Sequence, residues 1–89
     1  MEIRTTLVTV RFPKAGMGVK SPDAQLFIVG TTSTTVQEWI PNKKLIIEDD
    51  PEDDNYKLVT MPKWVWMKTK LPAFFQAEES THIEEVNEL

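Results

Sequence analysis

The chain predicts a mainly β domain, α+β only at the margin: a small antiparallel barrel or half-barrel of four or five strands with one short helix. Three observations carry this. Runs of five to eleven residues rich in Val, Ile, Thr, Phe and Tyr recur over the first 61 positions, split by Gly, Pro, Asn and Asp clusters. Only one segment, 62–71, places apolar residues at helical spacing. The 89 residues contain no cysteine, so a compact core must hold without disulfides or thiolate–metal staples.

Residues 2–12 read as a strand, because Thr5, Thr6, Val8, Thr9 and Val10 are β-branched and no breaker intervenes. Ile3 and Leu7 fall on one face and Val8, Val10 and Phe12 on the other, which suits a strand inside a barrel or between layers. Pro13 ends it. Residues 14–22 read as a loop in which Gly16 and Gly18 permit positive φ. A phosphate loop would need Gly-x4-Gly-Lys-Ser/Thr running into a helix, and this stretch has neither. Residues 23–29 form a strand with four consecutive apolar side chains, joined by a polar connection to another at 36–40.

Pro41 and Asn42 then turn the chain, Pro by its fixed φ and Asn by its tolerance of turn geometry. A fourth strand covers 43–47. Residues 48–55, EDDPEDDN, have nothing apolar to bury and read as a solvated loop. A fifth strand spans 56–61. Pro62 opens the helix at the position where a missing N–H costs nothing, and Pro72 stops it. Trp64, Met67 and Leu71 follow at i, i+3 and i+7. That register puts the Trp64 indole over the barrel opening, against Val36, Ile40 or the strand around Phe27. Trp66, about 200° further round the helix, is left on the flank. The domain covers 1–77, with Phe74 and Phe75 packing back on it. Residues 78–89 read as an acidic, flexible tail, in which Ser80 or Thr81 with Glu84 resembles the capping box of a marginal helix.

Charge is segregated. The net value is −4, yet residues 1–47 carry six Lys/Arg against three acids, while 48–54 hold six acids and 78–88 five more. No apolar run approaches the roughly 20 residues that span a bilayer, and the alternating, charged start is unlike a signal peptide. A cytoplasmic protein of a bacterial or archaeal host is the expectation. Enzymatic chemistry lacks its parts. The single histidine, His82, sits in the tail with no core to orient it as a base. A calcium loop counted from Asp50 has Asn55 where Gly is needed and Met61 where the bidentate acid is needed. A glycosidase pair would need a carboxylate in an apolar pocket. We therefore expect no catalytic residue, cofactor or metal.

The order Glu38-Trp39-Ile40-Pro41-Asn42-Lys43-Lys44-Leu45-Ile46, acidic loop, Met61-Pro62-Lys63-Trp64-Val65-Trp66-Met67-Lys68 resembles a group of small phage and mobile-element proteins. Those proteins have a W-(I/L)-P-K-S-x-I element and a final (I/V)-P-x-W-L-A-x-K-x-G-L helix. The matching positions are Trp39, Ile40, Pro41, Ile46, Pro62, Trp64, Lys68 and Leu71, within residues 20–71. Asp23 to Phe27 corresponds to their D-K-A-x-L-F strand. The chain departs at Lys44, where they have Ser, and at Trp66, where they have Ala. The resemblance implies a phage-like origin and a small β domain; it implies no activity.

Two functions fit these readings. The first is a non-enzymatic accessory protein that binds another protein, blocking a basic site on a host enzyme through Asp49, Asp50, Glu52, Asp53 and Asp54, with Trp66 as an added contact. The alternative is a barrel that binds single-stranded nucleic acid. It would use Trp66 and Tyr56 to stack bases and Lys43, Lys44, Lys63, Lys68 and Lys70 to meet phosphates.

Overall fold

The computed structural model describes residues 2–30 and 33–85. Thr31 and Thr32 of the polar connection, and residues 86–89 of the expected tail, lie outside the described residues. The mainly β class holds. Among the described residues there are seven strands: β1 (Glu2–Pro13), β2 (Met17–Lys20), β3 (Ala24–Gly30), β4 (Thr35–Pro41), β5 (Ile46–Asp49), β6 (Tyr56–Pro62) and β7 (Glu78–Glu85). One short helix, α1 (Lys63–Lys68), follows β6, and single 3-10 turns occupy Lys14–Gly16, Asn42–Lys44 and Leu71–Ala73.

The strands form two antiparallel sheets, ordered β5-β6-β1-β7 and β2-β3-β4. β1 is the organising strand. Its second half, Leu7 to Pro13, pairs with β6, and its first part, Glu2 to Thr9, pairs with β7. Residues 2–6 therefore have a neighbour on one side only, and with β7 they make a two-stranded ribbon that extends the sheet. At roughly 3.3 Å per residue β1 runs for some 40 Å, the greater part of a molecule 54 Å long and 27 × 25 Å across.

The core lies between the sheets and is closed by α1. Val8, Val10 and Phe12 of β1 meet Phe27, Ile40, Val59 and Met61, and Val65, Trp66 and Leu71 cover them. Phe12 packs edge-on against Phe27 at 5.0 Å and also meets Phe75 at 4.8 Å. Phe75 thus packs back as expected, whereas Phe74 is exposed.

Four local expectations are corrected. The fourth strand runs Ile46–Asp49 rather than 43–47, because Asn42–Lys44 form a 3-10 turn. The segment 14–22 is a 3-10 turn followed by β2, and no described glycine has positive φ. Gly16 and Gly18 are needed for space instead. A Cβ on Gly16 would lie 2.7 Å from the Ile28 carbonyl oxygen, and one on Gly18 2.9 Å from Leu26. The helix covers six residues, not 62–71. Finally, Glu78–Glu85, expected as flexible tail, forms β7 on the free edge of β1. Its few apolar side chains gave no strand signal. Backbone pairing holds it, because the N–H and C=O groups along that edge need partners.

Candidate functional site

α1 decides which aromatic groups reach solvent, and it is turned from the sequence expectation. Val65 and Trp66 are buried, Trp66 with 4% of its surface exposed, while Trp64 is 53% and Met67 61% exposed. The reason is the helix length. Thr69 is already extended (φ −89°, ψ 169°), and Leu71 opens a separate 3-10 turn. The i to i+7 relation of Trp64 to Leu71 therefore crosses non-helical backbone and has no meaning as a helical face. With only one and a half turns available, the adjacent pair Val65–Trp66 faces the core. Trp66, expected as a contact residue in both functional readings, is a core residue.

Trp64 instead forms one wall of a cleft between α1 and the end of β4. Glu38, Trp39, Ile40, Pro41, Lys44, Val65, Lys68 and Thr69 complete it. Strand parity turns Ile40 inward and leaves Trp39 52% exposed at the rim. Lys44 reaches Trp64 from the Asn42–Lys44 turn, its Nζ 5.5 Å from the ring centroid, and Lys68 Nζ lies 5.2 Å from the same centroid. Both are cation–π contacts. Two indoles and two ammonium groups thus share one concave surface.

Hydrogen bonds away from the rings hold this geometry. The Asn42 N–H donates to the Asp23 carbonyl at 2.9 Å, and its side-chain amide donates to the Ser21 and Pro22 carbonyls. These bonds fix the turn that carries Lys44. The Lys70 N–H donates to Glu38 Oε1 at 3.0 Å, tying the end of the helical segment to β4. The Thr69 hydroxyl donates to the Trp66 carbonyl and accepts from the Leu71 N–H, closing the last turn of α1. Glu38 therefore serves the frame of the cleft although it also lines it.

The cleft has a volume of about 240 Å³, below the roughly 300–1,000 Å³ of sites that enclose a small molecule. It suits a planar group laid on an indole better than a molecule swallowed whole. A larger hollow of about 630 Å³ lies across the molecule, beside Arg11, Asp50, Phe74 and Phe75. Its cation, Arg11, is already bonded to Asp50 at 2.6 Å.

Of the basic–aromatic set expected from sequence, the structure brings Lys44 and Lys68 together on Trp64. Lys63 lines an adjoining groove with Arg4, Thr5, Thr6, Trp64 and Met67. Lys43 borders an adjoining hollow by Ile46 and His82, which Lys44 also lines. Lys70 is exposed and contributes its backbone N–H to the frame. Tyr56 is half-buried at the far end of β6, under the Arg11 guanidinium at 5.1 Å, and belongs to no part of the cleft. Sequence reasoning missed Trp39 and Trp64 as exposed groups. For Trp39 a signal was present, since strand alternation with Ile40 inward requires Trp39 outward.

The acidic set divides. Asp50 is buried, its carboxylate accepting from the Glu52 N–H at 2.9 Å and from Arg11 Nε. The Glu52 N–H holds the Asp50 carboxyl below the usual carboxylate range; burial opposes this and the Arg11 bond adds to it. Asp49 is held down chiefly by its hydrogen bond from Lys57. Asp53 accepts from the Asn55 N–H at 2.9 Å. Glu52 and Asp54 stay exposed. No known protein family, curated protein or solved structure matches this chain.

Proposed function

We propose that this protein binds single-stranded nucleic acid in the cleft between α1 and β4. The observation that carries the reading is Trp64, half-exposed and attended by Lys44 and Lys68, with Trp39 on the same concave surface. An unpaired base stacks on Trp64 and displaces an ammonium group from the ring, and that ammonium then meets the adjoining phosphate. The magnitudes favour the exchange. An exposed cation–π contact is worth about 0.5–1 kcal/mol, base stacking on an aromatic side chain about 1–3 kcal/mol. Trp39 takes the neighbouring base. Duplex is disfavoured because its bases stack on each other and offer no free face.

The net charge of −4 does not oppose this, because the acids are concentrated in the β5–β6 loop and the C-terminal segment rather than at the cleft. Of the acids expected to meet a protein partner, Asp50 is buried on Arg11 and Asp53 accepts from the Asn55 N–H, which leaves Asp49, Glu52 and Asp54 exposed for such a contact. Titration with an oligothymidylate, followed by tryptophan fluorescence, tests the reading. Quenching that weakens as salt rises is expected, with duplex of the same length giving little. Trp64→Ala should weaken binding about tenfold or more, as the loss of one stacked base implies, and leave the melting temperature nearly unchanged. Unaltered affinity in that variant would refute the site.

A further inference from the structure

We infer that the cleft is one half of a longer single-strand track, which crosses α1 at Trp64 and ends against the ribbon of β1 and β7 at Arg4. The inference rests on the proposed function and extends it to the path of the strand. Trp64 lines both the cleft with Trp39, Lys44 and Lys68 and the groove on the other side of the helix. That second groove, about 550 Å³, lies between α1 and the first residues of β1 and carries Arg4, Lys63 and the exposed Met67. One indole is therefore common to two open grooves, each with cations along it. A strand stacked on Trp64 has a positively lined way out in both directions: toward Lys44 and Trp39, and toward Lys63 and Arg4.

The far half is occupied by acids of the same chain. Lys63 Nζ is paired with Glu79 of β7, and Arg4 Nε is bonded to Glu2 at 2.9 Å. All four side chains are about half-exposed or more, Arg4 the most, so both pairs are open to solvent and exchange readily with an external anion. Register explains the Glu79 contact. Glu79 lies opposite Val8 in the β1–β7 ladder, on the face of the sheet that α1 covers. In the absence of a ligand, Glu79 takes the position on Lys63 that a phosphate would take. The strand that builds the groove's wall thereby weakens binding there until nucleic acid displaces it.

The test measures anisotropy of end-labelled oligothymidylates of about three and about ten nucleotides, within and above the lower end of known site sizes. The affinities are corrected for the number of registers on the longer strand. The longer strand is expected to bind several-fold more tightly after correction. Arg4→Ala and Lys63→Ala should each remove part of that advantage and leave the trinucleotide unaffected. Glu79→Gln should raise affinity for the longer strand about threefold and steepen its salt dependence, because no displaced carboxylate then takes up a cation to offset the counterions released from the strand. A gain of affinity cannot arise from misfolding, so this variant guards against destabilised ones. Equal corrected affinities for the two lengths, or a Glu79→Gln variant that binds the longer strand no better, would overturn the track and leave the cleft standing. Failure of both oligonucleotides to bind the unaltered protein would overturn the two together.

Discussion

The cleft on α1 and the loop between β5 and β6 gather charges of opposite sign, and the fold treats them differently. In the cleft, Lys44 and Lys68 rest on an exposed ring and can leave it at little cost. In the loop, two of the acids, Asp50 and Asp53, are structural. Asp50 is buried against Arg11, Asp49 pairs with Lys57, and the backbone closes through the Asp50 N–H on the Tyr56 carbonyl and the Tyr56 N–H on the Asp53 carbonyl. A run of six acids looks in sequence like a surface awaiting a basic partner. Here Asp50 and Asp53 help to close the hairpin, while Glu48, Asp49, Glu52 and Asp54 stay exposed. Charge density in a sequence does not measure charge available to a partner; what the fold has already bonded must be subtracted.

The sharpest way to break this comparison lies just beneath the cleft. Trp66→Ala should cost about 3–5 kcal/mol by loss of a buried aromatic, a large share of the roughly 5–15 kcal/mol that holds such a domain. Thermal unfolding would show a collapse in melting temperature or no folded protein. Beside it, Trp64→Ala should melt almost as the unaltered chain does and lose binding. The opposite pattern would place the core on the Trp64 side and remove the cleft from consideration.

Asp50→Asn comes next. The variant keeps the size of the side chain but discards the charge that Arg11 and the Glu52 N–H stabilise, so a lower melting temperature is expected at neutral pH. The pH dependence gives the sign. A carboxyl whose folded pKa is depressed stabilises fully above its unfolded value, about 3.9. That contribution is lost as pH falls through the lower, folded value. The unaltered protein should therefore lose stability on acidification below about pH 4, and Asp50→Asn should show a flatter acid limb. Acid limbs that superimpose would mean that the Asp50 carboxylate, held by the Glu52 N–H and Arg11, contributes nothing.

The smallest effect is expected at Glu52 and Asp54, the exposed acids of the loop. Glu52→Gln with Asp54→Asn should move the melting temperature by no more than a degree or two, as surface changes do. Oligonucleotide affinity should rise only slightly, through the reduced negative charge, and by less at high salt. A large change in either would give the loop a role beyond closing its hairpin.

Much of this fold was legible from residue order because its causes are local. Thr5 to Val10 are β-branched and favour extended backbone wherever they lie. Pro41 and Asn42 turn the chain by their own geometry, and Pro62 stands just before α1, as the extended last residue of β6 rather than the first helical residue expected. The tertiary structure decided three other matters. It chose which side of α1 faces inward, because six helical residues are too few for periodicity to vote and the core accepted Val65 and Trp66 together. It made a strand of Glu78–Glu85, whose side chains have no strand signature, because the open edge of β1 had N–H and C=O groups to satisfy. It also separated bonded charge from available charge, burying Asp50 on Arg11 while leaving Lys44 and Lys68 on an exposed indole. Each of these depends on what lies opposite a residue in space, and residue order alone does not contain that.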